Sequence, residues 1–253
     1  MQLQESARRF SHTRTDRSRS AVDIGIRPLY RSVRLVPRPV RPLFRPLWHA
    51  IDRWSSPDAD KPGGSFPDRA SDAPIRPMTR AEFDELAARH TYYRGRQGYL
   101  GAAAWVASDL IERFGITTAL ELGPNVRPLI SGADVMDRVA RPGLDASGQV
   151  LLHDATATPW PIPGERYDLF VALQVFEHLG SSQRAAFAEV RRIARHAIIS
   201  LPIEWEMDDP RNPHHGIAHE RVLSWFAPIE PTRVILGNPG YRQRLIYAFE
   251  NLG

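Results

Sequence analysis

Cysteine is absent from all 253 residues. That excludes disulfides, thiolate metal sites and a cysteine nucleophile, and it makes a cytoplasmic setting the expected one. Lysine is nearly absent as well. Lys61 is the single one, so almost every positive charge is a guanidinium, a bias that runs along the whole chain and reads as coding preference. No apolar run approaches the ~20 residues that a membrane-spanning helix needs. The first residues contain no apolar h-region, so no secretory signal is expected.

What is present is unevenly spread. The formal net charge is +4, yet residues 1–55 hold 12 Arg against 4 acidic residues, which leaves the remaining 198 residues at −4. The stretch "IRPLYRSVRLVPRPVRPLFRPLWHAIDRW" (26–54) sets Arg and Pro among Leu, Val, Phe and Trp, and its prolines forbid a long regular helix. A Pro/Gly/Ser/Asp linker follows at 55–74, with little to bury. Residues 1–78 are therefore expected to be a disordered basic extension and linker, with residues 79–253 as the folded domain. A sharper reading makes residues 1–55 an adhesive arm for an anionic membrane surface, a nucleic acid or a partner, which would give a membrane-peripheral protein. The residues alone do not choose among these.

From Thr79 the pattern becomes regular. "TRAE" fits a capping box, with Thr79 as N-cap and Glu82 three residues on, and Phe83, Leu86 and Ala87 share a face. A second helix is expected over 98–114, ended by Gly115. Short apolar runs follow at 117–122, 133–137, 149–154, 167–175, 196–202, 232–238 and 244–251. Several are apolar almost throughout, as parallel strands buried on both faces should be. A helix at 181–195, with Ser181 or Ser182 as its cap, separates the fourth from the fifth, and the last two runs form a hairpin. The expected fold is α/β: a doubly wound, seven-stranded, mainly parallel sheet whose last strand is antiparallel.

In such sheets ligands bind beyond the carboxyl ends of the strands. There the sequence places Glu121-Leu122-Gly123, then Asp137, then Asp154, then Gln174 shortly before Glu177-His178. For any one acid, a solvated strand-end carboxylate is the simpler account. Four such ends in succession are harder to dismiss.

At these residues the chain resembles the class I S-adenosylmethionine-dependent methyltransferases, particularly their small-molecule branch. The resemblance spans about residues 98–251 and rests on "ALELGP", "DVMDR", "HDATATPWPIPGERYDLFVALQVFEHL", "HAIISLP" and the terminal hairpin taken together. It implies S-adenosyl-L-methionine as cofactor and in-line methyl transfer to a small-molecule, or glycan- or lipid-linked, nucleophile. It implies that Glu121 reaches the amino-acid end directly or through water, beside a bare Gly123. By the same resemblance Asp137 takes the ribose hydroxyls, Asp154 with the Ala155 backbone takes the adenine, and Gln174 borders the methionine moiety.

Two departures stand out. Asn125 and Arg127 occupy the positions of the family's later glycines; Asn125 is expected to hold a left-handed turn and Arg127 to point outward. Only 11 residues (123–133) separate the first strand from the second, too few for an ordinary crossover helix. "PLISGA" leaves room for one helical turn, so that side of the pocket is open or is covered by the tail.

On the acceptor side the candidates are Tyr92, Tyr93 and Arg94, then His178 as a general base or as a structural helix-entry residue, then His214 and His215. The Tyr92 and Tyr93 rings either line the mouth or are surface aromatics at a helix junction. No metal is expected. Some relatives acting on phenols use a Glu-x-x-Glu-His arrangement, but Gln174 stands where its first acid would be, and His215 and His219 lack further ligands nearby in sequence. Nucleic acid is not the expected acceptor, because the body is acidic and no "NPPY"-type step follows the fourth strand. Two rival readings remain open: a methyltransferase-like scaffold with weak or no catalysis, and a tether acting through the Arg-rich arm. The oligomeric state and the acceptor are not encoded in any motif.

Overall fold

The computed structural model describes residues 74–238 and 242–253. Of the disorder expected over residues 1–78, the part at 1–73 lies outside the described residues, as does the adhesive role expected for residues 1–55. Among the described residues no helix is long and apolar enough to cross a membrane.

Nine strands form. Seven make one sheet in the order β5 (Val150–Leu152), β4 (Asp134–Asp137), β2 (Ala119–Leu122), β6 (Tyr167–Leu173), β7 (Ala194–Pro202), β9 (Arg244–Phe249), β8 (Arg233–Leu236). Neighbours are parallel from β5 to β7, and β9 runs against both β7 and β8. This is the mainly parallel sheet with a reversed last strand that the apolar runs and the resemblance predicted.

Both faces of the sheet are covered, and the two-residue alternation of strand side chains divides the core. Ala119, Leu169, Val171, Ile198, Ile246 and Ala248 point to one layer, with α1 (Arg80–Arg89) and α2 (Gln97–Phe114). Leu120, Leu122, Phe170, Ala172, Ile199 and Tyr247 point to the other, with α3 (Gln183–Ile193) and α4 (His219–Phe226). Central strands walled on two sides have no polar face, which is why they read as continuous apolar runs.

The ends of the elements follow local chemistry. The Thr79 hydroxyl accepts from the Glu82 amide while Glu82 accepts from the Thr79 amide, closing the capping box at α1. Gly115, at φ +60°, ends α2. Ser182 stands at the N-cap of α3, but its hydroxyl makes no capping bond, contrary to expectation. Asp168, in the "YDL" step, accepts through one oxygen from the amides and hydroxyls of Thr117 and Thr118, pinning β2 and β6 together where they begin.

The short crossover contains no helical turn. Its residues instead form β3 (Ile130–Ser131), which pairs antiparallel with β1 (Arg76–Pro77), and the Met78 amide donates to the Leu129 carbonyl at 2.7 Å. The ordered body thus takes up the chain ahead of Thr79. Met78 and Phe83 pack with Leu129 and Ile130, so the segment leading into α1 covers the place that a crossover helix would fill.

Candidate functional site

The polar strand ends predicted from sequence lie along one edge of the sheet. Because the strand order there is β5-β4-β2-β6, Asp154, Asp137, the Glu121–Gly123 turn and Gln174 follow one another across four neighbouring strands. Three inter-strand steps span roughly 14 Å at ordinary strand spacing.

Gly123 is needed at the turn for two reasons. Its φ is +62°, and a Cβ there would come within 3.1 Å of Val175 Cγ2. Asn125 does not adopt the left-handed conformation expected of it, so Gly123 alone supplies that geometry in this turn. Arg127 does not simply point outward either. Its guanidinium lies 3.4 Å from Glu82 of α1 and 3.3 Å from Asp145, tying the turn to its surroundings.

Glu121 is buried, and its Oε2 accepts from the amides of Leu129 (2.7 Å) and Ile130 (3.3 Å). It therefore satisfies two backbone donors of the helix-free crossover. Burial pushes its carboxyl up to about 8, with those two amides opposing. The carboxyl also borders a cavity of about 30 Å³, shared with Gly123, Asn125, Tyr92 and Leu173, which is room for about two waters.

Asp137 is buried at the end of β4 and paired with Arg141, while its Oδ1 accepts from the Val139 amide at 3.3 Å. Asp134, the other acid of that strand, lies at the strand's opposite end and is used up by the Gln149 amide and the Tyr167 hydroxyl. Asp154 is exposed. Its Oδ1 takes the Thr156 amide and hydroxyl, and these bonds hold the carboxyl below its ordinary value despite some burial. Beside it Ala155 is buried, with its carbonyl receiving the Trp160 indole at 3.1 Å.

Gln174 turns the chain at φ +60°, its amide donates to the Ser200 carbonyl, and its Oε1 accepts from Arg244 Nε at 2.9 Å. Its Nε2 is buried without an acceptor.

Beyond Gln174 lies a second group of residues. Glu177 has a wholly buried side chain, and neither carboxylate oxygen receives a hydrogen bond from another residue. Burial pushes it up to about 8, opposed by its own backbone amide and by Arg244. His214 Nε2 lies 3.5 Å from Glu177 Oε1, while its Nδ1 is 2.9 Å from Asn212 Oδ1. The His214 ring stacks on Trp205 and meets His178 edge-on. Burial first, then neighbouring cationic groups, lower the His214 pKa to about 4. Glu177, His178 and His214 bring one potential ligand atom each within 4.8 Å of one another, a donor set that spacing along the chain did not reveal.

Three of the expected acceptor-side residues have other work. Tyr93 is buried; its hydroxyl accepts from the amides of Val126 and Arg127, bracing the glycine turn from behind. Arg94 donates to the carbonyls of Ala87 and Ala88 and so closes the end of α1. His215 accepts the Met207 amide through Nδ1, and His219 Nδ1 lies 2.9 Å from the Tyr247 hydroxyl, so each ring of that i, i+4 pair is tied to its own neighbour. Tyr92 borders the Glu121 cavity, His214 is buried against Trp205, and His178 is exposed.

Sequence reasoning missed Arg244, Arg96, Tyr99 and Trp205. Arg244 was the detectable one: it is a charged residue opening an otherwise apolar run, and reversal of β9 brings such a first residue to the edge where the parallel strands end.

No family model and no curated protein matches the chain. Among solved structures it is similar to the N-methyltransferase NodS from Bradyrhizobium japonicum WM9 in complex with S-adenosyl-L-homocysteine, at 13% identity over 68% of this chain and 97% of that one, with a TM-score of 0.49. It is similar at 15% identity to a SAM-dependent methyltransferase from Aquifex aeolicus, over 68% of this chain and 97% of that one, with a TM-score of 0.44. A carbon methyltransferase, CurJ, is similar at 14% identity over 68% of this chain and 61% of that one, with a TM-score of 0.43.

Proposed function

We propose that this chain binds S-adenosyl-L-methionine along the β5-β4-β2-β6 edge and methylates a small-molecule acceptor held beyond Gln174. One observation carries the reading: the polar groups at four neighbouring strand ends form a single row whose length and order suit a nucleoside with an amino-acid tail. Asp154 and the Ala155 backbone are at the end suited to an adenine, through an acceptor oxygen and an amide. Asp137 offers a carboxylate to vicinal hydroxyls. The Glu121 cavity and the bare Gly123 backbone suit the amino-acid end, and Gln174 the region near the sulfur.

When bound, the cofactor supplies a methyl group already activated by the positive charge of the sulfonium. The chain then has to align and desolvate an acceptor, and to take its proton if it arrives protonated. His214 fits the second task. Asn212 orients its ring, and its low pKa leaves Nε2 unprotonated at neutral pH beside a carboxyl that burial keeps neutral. His178, which is exposed, is the alternative base.

Calorimetric titration with S-adenosylmethionine and S-adenosylhomocysteine tests this reading. The unmutated protein is expected to bind both, and Asp137→Ala to weaken both at least about tenfold, the loss of one or two charge-assisted hydrogen bonds. No binding by the unmutated protein would instead favour the scaffold reading. That reading draws on Asp137 being engaged by Arg141, and on Glu121 being engaged by the crossover amides.

A further inference from the structure

Arg244 is the first residue of β9 and pairs with Pro202, the last residue of β7, so it sits on the edge where the parallel strands end. It is 6% exposed. Its Nε donates to Gln174 Oε1 at 2.9 Å and its Nη1 to the Arg242 carbonyl at 3.3 Å. The guanidinium lies 5.0 Å from the ring centre of Tyr99 and 4.7 Å from that of Trp205. Every one of these partners is uncharged, and Arg244 makes no ion pair with the described residues. A guanidinium taken out of water without a counter-ion is costly, and burial accordingly lowers its pKa.

Arg96 adds a second charge. It lies 3.9 Å over the Tyr92 ring, donates to the Tyr92 carbonyl, and buries an Nε that has no acceptor. Both arginines act on the same imidazole, His214, whose pKa they help to lower. Glu177 faces His214 at 3.5 Å and forms no ion pair with either arginine.

We propose that Arg244, seconded by Arg96, forms an anion subsite of the acceptor pocket, and that the methyl acceptor carries a carboxylate or phosphate group. The proposal rests on the methyl-transfer reading for the word acceptor, but not for the anion. Gln174 takes Nε and the Arg242 carbonyl takes one Nη1 hydrogen, which leaves Nη2 and the second Nη1 hydrogen as an end-on pair for an oxyanion. Arg244 opens the third strand beyond the one that ends in the Gly123 turn, on the far side of Gln174, which separates it from the end suited to the cofactor's own carboxylate.

The test is titration of the full chain with inorganic phosphate, followed by tryptophan fluorescence and by thermal unfolding, with and without saturating S-adenosylhomocysteine. Phosphate is expected to bind in both conditions and to raise the unfolding temperature. Arg244→Gln should weaken it at least about tenfold, whereas Arg191→Gln, on the exposed face of α3, should not change it. If the glutamine variant does not fold, Arg244→Lys carries the same test, with an expected loss of several-fold because the bidentate fork is gone. Equal phosphate binding by a folded Arg244 variant, or none by the unmutated protein, overturns the subsite. Loss of phosphate binding on saturation with S-adenosylhomocysteine assigns the subsite to the cofactor's carboxylate and overturns the acceptor. Arg244-dependent phosphate binding without any S-adenosylhomocysteine binding keeps the anion subsite and removes the methyl-transfer reading.

Discussion

Replacing Glu177 by Gln is the sharpest probe of the group beyond Gln174, because it alters one proton and almost no volume. The unfolded chain releases the Glu177 proton near the ordinary 4.5, whereas the native state holds it up to about 8. Between those values the native state binds more protons than the unfolded one, so this group lowers stability as pH rises. Each pH unit in that window costs ~1.4 kcal/mol, and the whole window about 5 kcal/mol. Exposure does not discount the effect, since the side chain is wholly buried. Glutamine mimics the protonated carboxyl and does not titrate. The variant should therefore match the unmutated protein near about pH 4.5 and pull ahead by ~1.4 kcal/mol per unit, levelling off above about pH 8. Urea unfolding of both proteins across that range measures the difference directly, and Glu121, raised in the same way, cancels from it. Parallel curves would refute the reasoning. They would mean that Glu177 is already ionised in the native protein.

Three further outcomes are expected. Gly123→Ala should cost about 1–2 kcal/mol in denaturant unfolding, because φ is +62° and the new methyl meets Val175 at 3.1 Å; an unchanged midpoint would show that the turn relaxes freely. Thr79→Ala should lose about 1 kcal/mol by opening the capping box of α1, measured the same way, and no loss would mean that the Arg76–Glu82 pair alone holds that end. Arg141→Ala should release the Asp137 carboxylate and tighten S-adenosylhomocysteine binding several-fold in calorimetry, whereas weaker binding would make Arg141 a ligand contact.

The elements were legible wherever their cause is local. The capping box at Thr79, the stop at Gly115 and the apolar strands each depend on residues within a turn or two. The row of strand ends was legible at one remove, since parallel strands joined in order must bring their carboxyl ends to one edge. The 11-residue crossover announced that a helix was missing, but nothing in it named β1 as the replacement. Tyr93 and Arg94 were misplaced for a related reason. An aromatic and a cation beside a pocket look the same in sequence whether they face the ligand or brace the wall behind it.

By itself, then, the sequence determined the strand and helix inventory, the bare Gly123 turn and the identity of the groups at each strand end. Tertiary structure alone decided which of those groups are free. It committed the Glu121 carboxyl to the Leu129 and Ile130 amides, paired Asp137 with Arg141, and buried Glu177, His214 and Arg244, from three distant stretches, within electrostatic reach of one another. The physical reason is the range of the forces involved. Caps and strand patterns are set by neighbours in the chain, whereas desolvation, and with it the charge a buried group carries, is set by whatever the fold packs around it.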